Sequence, residues 1–155
     1  FGTGNGLVML SEIVQAGKIN GIDLSPLMVK EAKKQNKSAV ADGRMELTLG
    51  NANNLPYKDS MFDCALAVNV MYFWDEPLPI FREILRVLKP NGRIALFLLK
   101  KETFWQEVLT TDIFNPYTPD EVEQLLVQAG CTDVRIENSP PSLDASFCAL
   151  AQKSA

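Results

Sequence analysis

Apolar positions along this chain follow two different periods. Short apolar runs of strand length alternate with segments in which apolar residues recur every three or four positions, the spacing of a helix with one buried face. Phe62 to Asn69 is a near-continuous apolar run, which is typical of a strand buried on both faces. After Pro77, in contrast, the apolar residues from Ile80 to Leu88 share one helical face. The alternation of strands and helices with short connections predicts an α/β sheet.

Cap and turn residues divide the chain into elements. Ser25 with Pro26 begins one helix, and the capping box Thr118-Pro119-Asp120-Glu121 begins another. The predicted helices run from Leu7 to Ala16, from Ser25 to about Lys37, from Pro77 to Leu88, around Thr103 to Leu109, and from Thr118 to Gly130. The predicted strands are Lys18 to Asp23, Met45 to Leu49, Phe62 to Asn69, Arg93 to Leu99 after a turn at Pro90-Asn91-Gly92, Cys131 to Asn138, and Ala145 to Gln152. Without internal repeats, 155 residues predict a single domain over 1–155.

Charge and hydropathy exclude two classes of partner. The net charge is −4, whereas a nucleic-acid surface normally needs a basic patch. No apolar run approaches the roughly 18 residues that predict a membrane span. We therefore expect neither a nucleic-acid nor a membrane partner.

The counts of histidine and cysteine narrow the chemistry. The chain has no histidine, which excludes Ser-His-Asp hydrolysis, Cys-His catalysis and the commonest zinc sites. Its three cysteines, Cys64, Cys131 and Cys148, lie in apolar strand-like runs without metal-ligand spacing. They predict buried thiols in a cytoplasmic protein, and no metal site.

A glycine-rich loop, Phe1-Gly2-Thr3-Gly4-Asn5-Gly6, leads directly into the first predicted helix. Glycines let a ligand approach the backbone N–H groups, and a helix N-terminus suits a phosphate or a carboxylate equally well. The dinucleotide fingerprint G-x-G-x-x-G does not fit, because Leu7 or Met9 occupies its third glycine position. Asp23 follows Gly6 by seventeen residues and ends a strand. There it could bind both hydroxyls of a ribose or, alternatively, only precede the cap of the next helix.

Four stretches of this sequence together resemble the class I (Rossmann-like) S-adenosylmethionine-dependent methyltransferases, especially those that act on small molecules. They are Gly2 to Gly6, Gly21 to Met28, Gly50 to Tyr57, and Phe62-Asp63 through Asn69-Val70-Met71-Tyr72 to Arg86-Val87-Leu88-Lys89-Pro90-Asn91-Gly92-Arg93. The resemblance implies a Rossmann-like sheet, mostly parallel with an antiparallel last strand and with helices on both faces. It also implies methyl transfer from S-adenosylmethionine to a small-molecule acceptor.

Carried over by position, the resemblance implies a binding site for this cofactor. Its methionine part would lie against the glycine loop residues Gly2, Thr3, Gly4 and Gly6. Asp23 would bind the ribose, and Leu24 and Met28 would lie beside the adenine. Asn51-Ala52 stands where the family usually has Asp-Ala, and an amide oxygen can still accept the bond from the adenine amino group.

Asn69 would lie under the sulfonium end of the cofactor, or alternatively only cap the end of its strand. Of the aromatic residues that follow, Tyr72 is the candidate pocket and catalytic residue, because aromatic faces attract cations and its hydroxyl is a polar handle. At least one member of Tyr72-Phe73-Trp74 should pack in the core. Asp75 and Asp112 are further candidates for a base.

The segment 101–117 stands where such enzymes place a substrate lid, although a packed insertion is an equal alternative. Within it, Asn115-Pro116-Tyr117 is similar to a signature of amino-methylating nucleic-acid enzymes. In the family, that signature follows the fourth strand, and in this chain Asn69 to Tyr72 occupies that place. We therefore assign Asn115-Pro116-Tyr117 no role in the methylation of nucleic acids.

The first, central strand of the family should precede Phe1, so the resemblance implies a natural protein with residues upstream or a partner chain that donates a strand. A homodimer is an open possibility for the assembly. A non-catalytic binding or scaffold protein of the same fold is the alternative to an enzyme, and Asn51 in place of aspartate is the feature that favours it.

Overall fold

A computed structural model describes residues 1–101, 103, 114–139 and 145–155. The predicted helix around Thr103 to Leu109 lies almost entirely outside the described residues, as does most of the predicted lid. Internal contacts group the chain into two compact units, Phe1–Pro56 and Tyr57–Ala155. The organisation of 1–155 as one domain stays a prediction.

The first unit contains three helices and a two-stranded parallel sheet. Its elements are α1 (Asn5–Ile13), β1 (Ile19–Asp23), α2 (Pro26–Gln35), α3 (Lys37–Ala41) and β2 (Met45–Leu49). β1 pairs with β2 from Ile19 opposite Met45 to Asp23 opposite Leu49. The predicted start of α2 is confirmed, because the hydroxyl of Ser25 accepts a hydrogen bond from the Met28 N–H at 3.3 Å.

The core of the first unit lies where α1, α2 and α3 contact one another and the small sheet. Its buried side chains are Leu7, Ala32, Ala39, Met45 and Leu47. Phe1 and Leu10 are partly buried against this cluster. Burial of apolar surface at about 25 cal/mol per Å² is what holds these short elements together.

In the residues that the structure describes, the second unit has a four-stranded sheet, two helices and a short 3-10 turn at Met71–Phe73. Its elements are β3 (Phe62–Val68), α4 (Pro77–Val87), β4 (Leu88–Leu99), α5 (Pro119–Ala129), β5 (Cys131–Asn138) and β6 (Ser146–Lys153). The strand order is β3-β4-β6-β5, with β3 parallel to β4 and β6 antiparallel to both of its neighbours. Three of the four strands therefore run the same way, and the predicted antiparallel last strand is confirmed.

Two predictions about strands in this unit are wrong. β3 is not buried on both faces, since Leu66 and Val68 are 51% and 52% exposed. The reason is that β3 is an edge strand of this sheet, paired only with β4 in the described part of the chain. β4 begins at Leu88 rather than Arg93, and its pairing with β3 is irregular there: Phe62 pairs with Leu88 and Cys64 with Arg93, so residues 89–92 stand opposite Asp63, with a positive φ of 61° at Asn91.

The cysteines also differ from expectation. Cys131 is buried and Cys148 is half-buried, but Cys64 on the edge strand β3 is exposed. A search of the described residues found no helix that is both long and apolar enough to cross a membrane.

Candidate functional site

The glycine loop of the first unit owes its shape to backbone conformations that glycine adopts easily. Gly2 and Gly4 have φ values of 56° and 97°, in the left-handed region, and Gly4 caps the N-terminus of α1. A Cβ on Gly4 would lie 2.9 Å from the Cα of Ala32, so α1 and α2 can approach only without a side chain there. A Cβ on Gly2 or Gly6 would meet no atom within 4 Å. These two glycines leave open space beside the loop.

Asn36 joins this loop to α2, a role that the sequence did not predict. Its side chain is buried, and its amide nitrogen donates to the Gly4 carbonyl oxygen at 3.2 Å and to the Ala32 carbonyl oxygen at 3.0 Å. A buried polar side chain with partners of this kind holds two backbone segments in a fixed relation. The only sequence signal was an asparagine beyond the last helical turn, which turn preferences explain equally well.

Asp23 lies at the carboxyl end of β1 and contacts the same loop. Its Oδ2 accepts a hydrogen bond from the Gly2 N–H at 3.1 Å, and its Oδ1 accepts from the Ser25 N–H at 2.9 Å. Burial raises the pKa of the Asp23 carboxyl, but the Ser25 and Gly2 N–H groups lower it, and the pKa lies below its usual range. Asp23 is therefore an anion at neutral pH.

Apolar and amide side chains follow the two strands of the first unit. Leu24, directly after Asp23, is 68% exposed, and Met28 is partly exposed on α2. Asn51 is exposed, and its Oδ1 accepts a hydrogen bond from the Asn53 N–H at 2.9 Å. Because an amide oxygen has two lone pairs, Asn51 can accept one more hydrogen bond.

In the second unit, the residues after β3 form a turn with a strained start. Asn69 has a φ of 50°, which few residues other than glycine adopt, and its N–H donates to the Phe97 carbonyl oxygen at 2.9 Å. Phe73 is exposed and its ring lies 5.1 Å from that of Phe114, whereas the buried Trp74 packs edge-on against Phe81 at 5.5 Å. The expectation that at least one of these aromatic residues packs in the core is therefore confirmed.

Tyr72 lies in the same turn and is only 3% exposed. Its hydroxyl accepts a hydrogen bond from the Leu99 N–H and lies 3.4 Å from both Asn69 Oδ1 and the Leu99 carbonyl oxygen. Burial raises the pKa of Tyr72 above its usual range, against an opposing contribution from the Leu99 N–H. The tyrosine is protonated at neutral pH, and these contacts give it little capacity to act as a base.

An open cleft of about 550 Å³ lies beside α5 in the second unit. Its charged lining residues are Asp75, Lys101 and Glu121, and a 3.6 Å ion pair joins the last two. Burial and the charges of Glu121 and Asp75 raise the pKa of Tyr117 in its wall. Asp112, a candidate base, lies outside the described residues. Among the described residues, no group of three histidine, cysteine or carboxylate side chains could hold a metal ion.

Comparison with known proteins identifies the family. A family described as a methyltransferase domain matches residues 1–96. The chain belongs to that family. A demethylmenaquinone methyltransferase of Oceanobacillus iheyensis is 36% identical over 95 residues, which are 61% of this chain and 40% of that protein. An O-methyltransferase of Penicillium expansum is 30% identical over 152 residues, which are 91% of this chain and 54% of that protein.

Solved structures of methyltransferases agree with this assignment. The structure of a SAM-dependent methyltransferase from Aquifex aeolicus matches with a TM-score of 0.78 at 27% identity, over 97% of this chain and 78% of that one. The chain spans about half or less of the length of the curated relatives named above. Its sheet and helices are those of the class I methyltransferase fold, and the predicted resemblance is confirmed.

The family and the fold imply S-adenosylmethionine as the cofactor of this methyltransferase domain. The residues of the first unit fit such a group. Open space lies beside Gly2 and Gly6, and Leu24 offers an exposed apolar side chain next to Asp23. The carboxylate of Asp23 accepts a hydrogen bond from each of the Gly2 and Ser25 N–H groups, fewer than the roughly four that it can accept. A ribose hydroxyl could therefore still donate to it.

Proposed function

We propose that this methyltransferase domain transfers the methyl group of S-adenosylmethionine to a small-molecule acceptor by in-line displacement. The observation that carries the proposal is the contact between the glycine loop and Asp23. The Gly2 N–H donates to Asp23 Oδ2 at 3.1 Å, so the backbone that would face the methionine part and the carboxylate that would bind the ribose meet at one corner. Such a corner at the carboxyl end of a strand is a typical nucleotide-binding position of α/β folds.

The proposed roles of the remaining site residues follow the resemblance. Gly2, Thr3, Gly4 and Gly6 border the methionine part of the cofactor, Leu24 and Met28 lie beside the adenine, and Asn51 with Ala52 meets its amino group. Asn69 lies under the sulfonium end. The exposure of Leu24 and the remaining lone pair of Asn51 support these assignments. The resemblance also gives Tyr72 a place in the pocket, but its buried hydroxyl favours a role other than that of a base.

When bound, S-adenosylmethionine supplies a methyl group already activated by a positively charged sulfur. In the transfer, a lone pair of the acceptor would form the bond to the methyl carbon while the carbon–sulfur bond breaks with its electrons left on sulfur, and a proton on the acceptor atom would pass to solvent. The protein has to orient the two reactants and exclude water, which requires no histidine. The relatives named for demethylmenaquinone and for O-methylation support an acceptor of the small-molecule class.

Calorimetric titration with S-adenosylmethionine and S-adenosylhomocysteine tests the proposal. We expect micromolar affinity for both, and loss of binding in Asp23→Ala with an unchanged circular dichroism spectrum. Asp42→Ala is the matched control, because Asp42 is an exposed aspartate of the same unit that accepts only a 3.4 Å bond from Ser38. Folded protein that binds neither ligand would exclude the cofactor site. Binding of both ligands without methylation of any acceptor in a panel of phenols, amines and thiols would favour the non-catalytic scaffold.

We propose in addition that residues 1–155 act as one domain in the cytoplasm, without a nucleic-acid or membrane partner. The family match over residues 1–96 supports the first point, because it covers parts of both units. The three free cysteines support a reducing compartment, and the net charge of −4 disfavours nucleic acid. Light scattering after size exclusion will distinguish a monomer from a homodimer.

A further inference from the structure

The carboxyl ends of β3 and β4 are joined by a small hydrogen-bond network centred on Tyr72. The ladder between these parallel strands ends with Val68 opposite Phe97, and the Asn69 N–H then donates to the Phe97 carbonyl oxygen. Two residues further along β4, the Leu99 N–H donates to the Tyr72 hydroxyl. The side chain thus continues the contact between the two strands after their backbones have separated.

The Tyr72 hydroxyl is used within the protein as both acceptor and donor. It accepts from Leu99, and its oxygen lies 3.4 Å from each of two acceptors to which it can donate, Asn69 Oδ1 and the Leu99 carbonyl oxygen. At 3% exposure the side chain presents almost no surface to a bound molecule. Contact with substrate is therefore a poor explanation for this hydroxyl, whereas contact with Asn69 is direct.

Asn69 needs support from its neighbours. A φ of 50° is costly for a residue with a side chain, although asparagine tolerates it better than most. Phe97 holds the main chain of Asn69, and Tyr72 is the described group that holds its side-chain oxygen. The direction of the Asn69 amide, and hence what it can offer a ligand, depends on that hydroxyl.

We propose that Tyr72 is a positioning residue, which fixes the left-handed turn and the amide orientation of Asn69 at the end of β3. The inference rests on the proposed function, in which Asn69 lies under the sulfonium end of the cofactor. Tyr72 acts on cofactor binding through Asn69 and takes no proton from the acceptor.

The Asn115-Pro116-Tyr117 motif, which the sequence analysis set aside, has a place in this arrangement. The Asn115 N–H donates to the Tyr72 carbonyl oxygen at 2.8 Å, and Pro116 is buried. The main chain of Tyr72 is therefore hydrogen-bonded to the segment before α5, and its hydroxyl is hydrogen-bonded to β4. Both contacts restrict the turn that begins at Asn69.

A double-mutant cycle tests the inference. The affinity for S-adenosylhomocysteine is measured calorimetrically in the wild type, Tyr72→Phe, Asn69→Ala and the double variant. We expect Tyr72→Phe to weaken binding about 3- to 10-fold when Asn69 is present and by less than 2-fold in Asn69→Ala, since contacting residues are coupled and distant ones are additive. Tyr57→Phe, which removes a buried hydroxyl of the same unit, should leave the affinity unchanged.

Two results would overturn the inference while leaving the cofactor site intact. Equal losses in both backgrounds would mean that Tyr72 acts independently of Asn69, and no loss in either would mean that it has no role in binding. In a turnover assay, loss of the limb on which activity rises with pH in Tyr72→Phe would identify a base instead. If the wild type itself does not bind, the proposed function fails and this inference fails with it.

A measurement on the unmodified protein covers the case in which Tyr72→Phe does not fold. Hydrogen exchange of the Leu99 amide reports on its bond to the Tyr72 hydroxyl. S-adenosylhomocysteine should slow that exchange several-fold, and more than it slows Ile94, which lies in the middle of the same strand. Equal protection at the two amides, or no change at Leu99, would contradict the coupling.

Discussion

The amide nitrogen of Asn36 donates to the carbonyl oxygen of Gly4 at 3.2 Å, which joins the end of α2 to the start of the glycine loop. The same nitrogen donates to Ala32, so one buried side chain fixes both segments. Within the first unit, the loop that would face the cofactor thus depends on a residue far from it in sequence. Loop shape and stability should consequently change together when this side chain is removed.

We predict that Asn36→Ala lowers the free energy of unfolding by about 1–3 kcal/mol, because two backbone carbonyl groups lose a buried donor. It should also weaken S-adenosylhomocysteine binding several-fold, since the Gly4 carbonyl loses its bond to α2. Denaturant unfolding and calorimetry measure the two effects. Asn54→Ala, at an exposed position, is the control and should change stability by less than about 0.5 kcal/mol. An Asn36→Ala protein as stable as the wild type would contradict the structural role.

Gly4 and Gly6 should respond to alanine in opposite ways. At Gly4 the added Cβ would lie 2.9 Å from atoms of Ala32 and Asn36, on a backbone with a φ of 97°. We predict a loss of about 2 kcal/mol or more for Gly4→Ala, since the left-handed conformation alone costs about 1–2 kcal/mol. Gly6 lies within α1 with no atom within 4 Å of its Cβ position, so Gly6→Ala should stabilise the fold by up to about 1 kcal/mol.

Cofactor binding separates the two glycines further. Because the space beside Gly6 is where the cofactor would approach, Gly6→Ala should weaken S-adenosylhomocysteine binding even though the protein is no less stable. Thermal unfolding with and without the ligand measures both quantities on one sample. Unchanged affinity in a folded Gly6→Ala protein would place the cofactor elsewhere.

Much of the architecture could be predicted because its signals are local. The capping box between Thr118 and Glu121 joins residues three apart, and the structure has it as predicted. The bounds of β2 and β5 also agree with the sequence, because apolar patterning marks both strands. The glycine loop and Asp23 came from spacing, and the structure brings them together through the Gly2 N–H.

The features that the sequence did not predict depend on residues that lie far apart along the chain. The exposure of β3 depends on which strands lie beside it, and the role of Asn36 depends on a partner 32 residues away. Tyr72 was chosen for its chemistry, but its burial and its bond to Leu99 depend on how the turn folds back over β4. Sequence reasoning located the turn, whereas the partners of the Tyr72 hydroxyl, on which the proposed positioning role rests, come from the structure.

The capping box gives α5 a pH-dependent stability. The Thr118 N–H donates to Glu121 at 2.7 Å, and this bond is the main cause that lowers the pKa of Glu121 from 4.5. A carboxyl whose pKa is lower in the folded state stabilises the fold above its unfolded pKa, and that contribution is lost as the pH falls through the folded value. The relevant window therefore lies below about pH 4.5.

We predict that Glu121→Gln lowers the melting temperature slightly at pH 7 and that this difference from the wild type shrinks towards pH 3. Because Glu121 is about half exposed, the effect should be small, and a glutamine can keep the capping bond. Thr118→Ala is the comparison, with a loss of about 1 kcal/mol at both pH values because a hydroxyl does not titrate. A difference for Glu121→Gln that stays constant from pH 7 to pH 3 would show that the carboxylate has no such role.

The three cysteines should differ sharply in reactivity. Cys64 is exposed on the edge strand β3, whereas burial raises the pKa of Cys131 to about 11. Burial, with the nearby charge of Glu137, also raises the pKa of Cys148. The thiolate is the reactive form, so at pH 8 an aromatic disulfide reagent should titrate one thiol rapidly and the other two slowly.

Three serine variants identify the cysteine that reacts rapidly. The rapid reaction should disappear in Cys64→Ser and persist in Cys131→Ser and Cys148→Ser, while all three thiols of the wild type should react at similar rates in guanidinium. A rapid phase that survives in Cys64→Ser would mean that Cys131 or Cys148 is the reactive thiol. Slow reaction of Cys64 in the folded wild type, released by denaturant, would mean that β3 is covered at this position in solution.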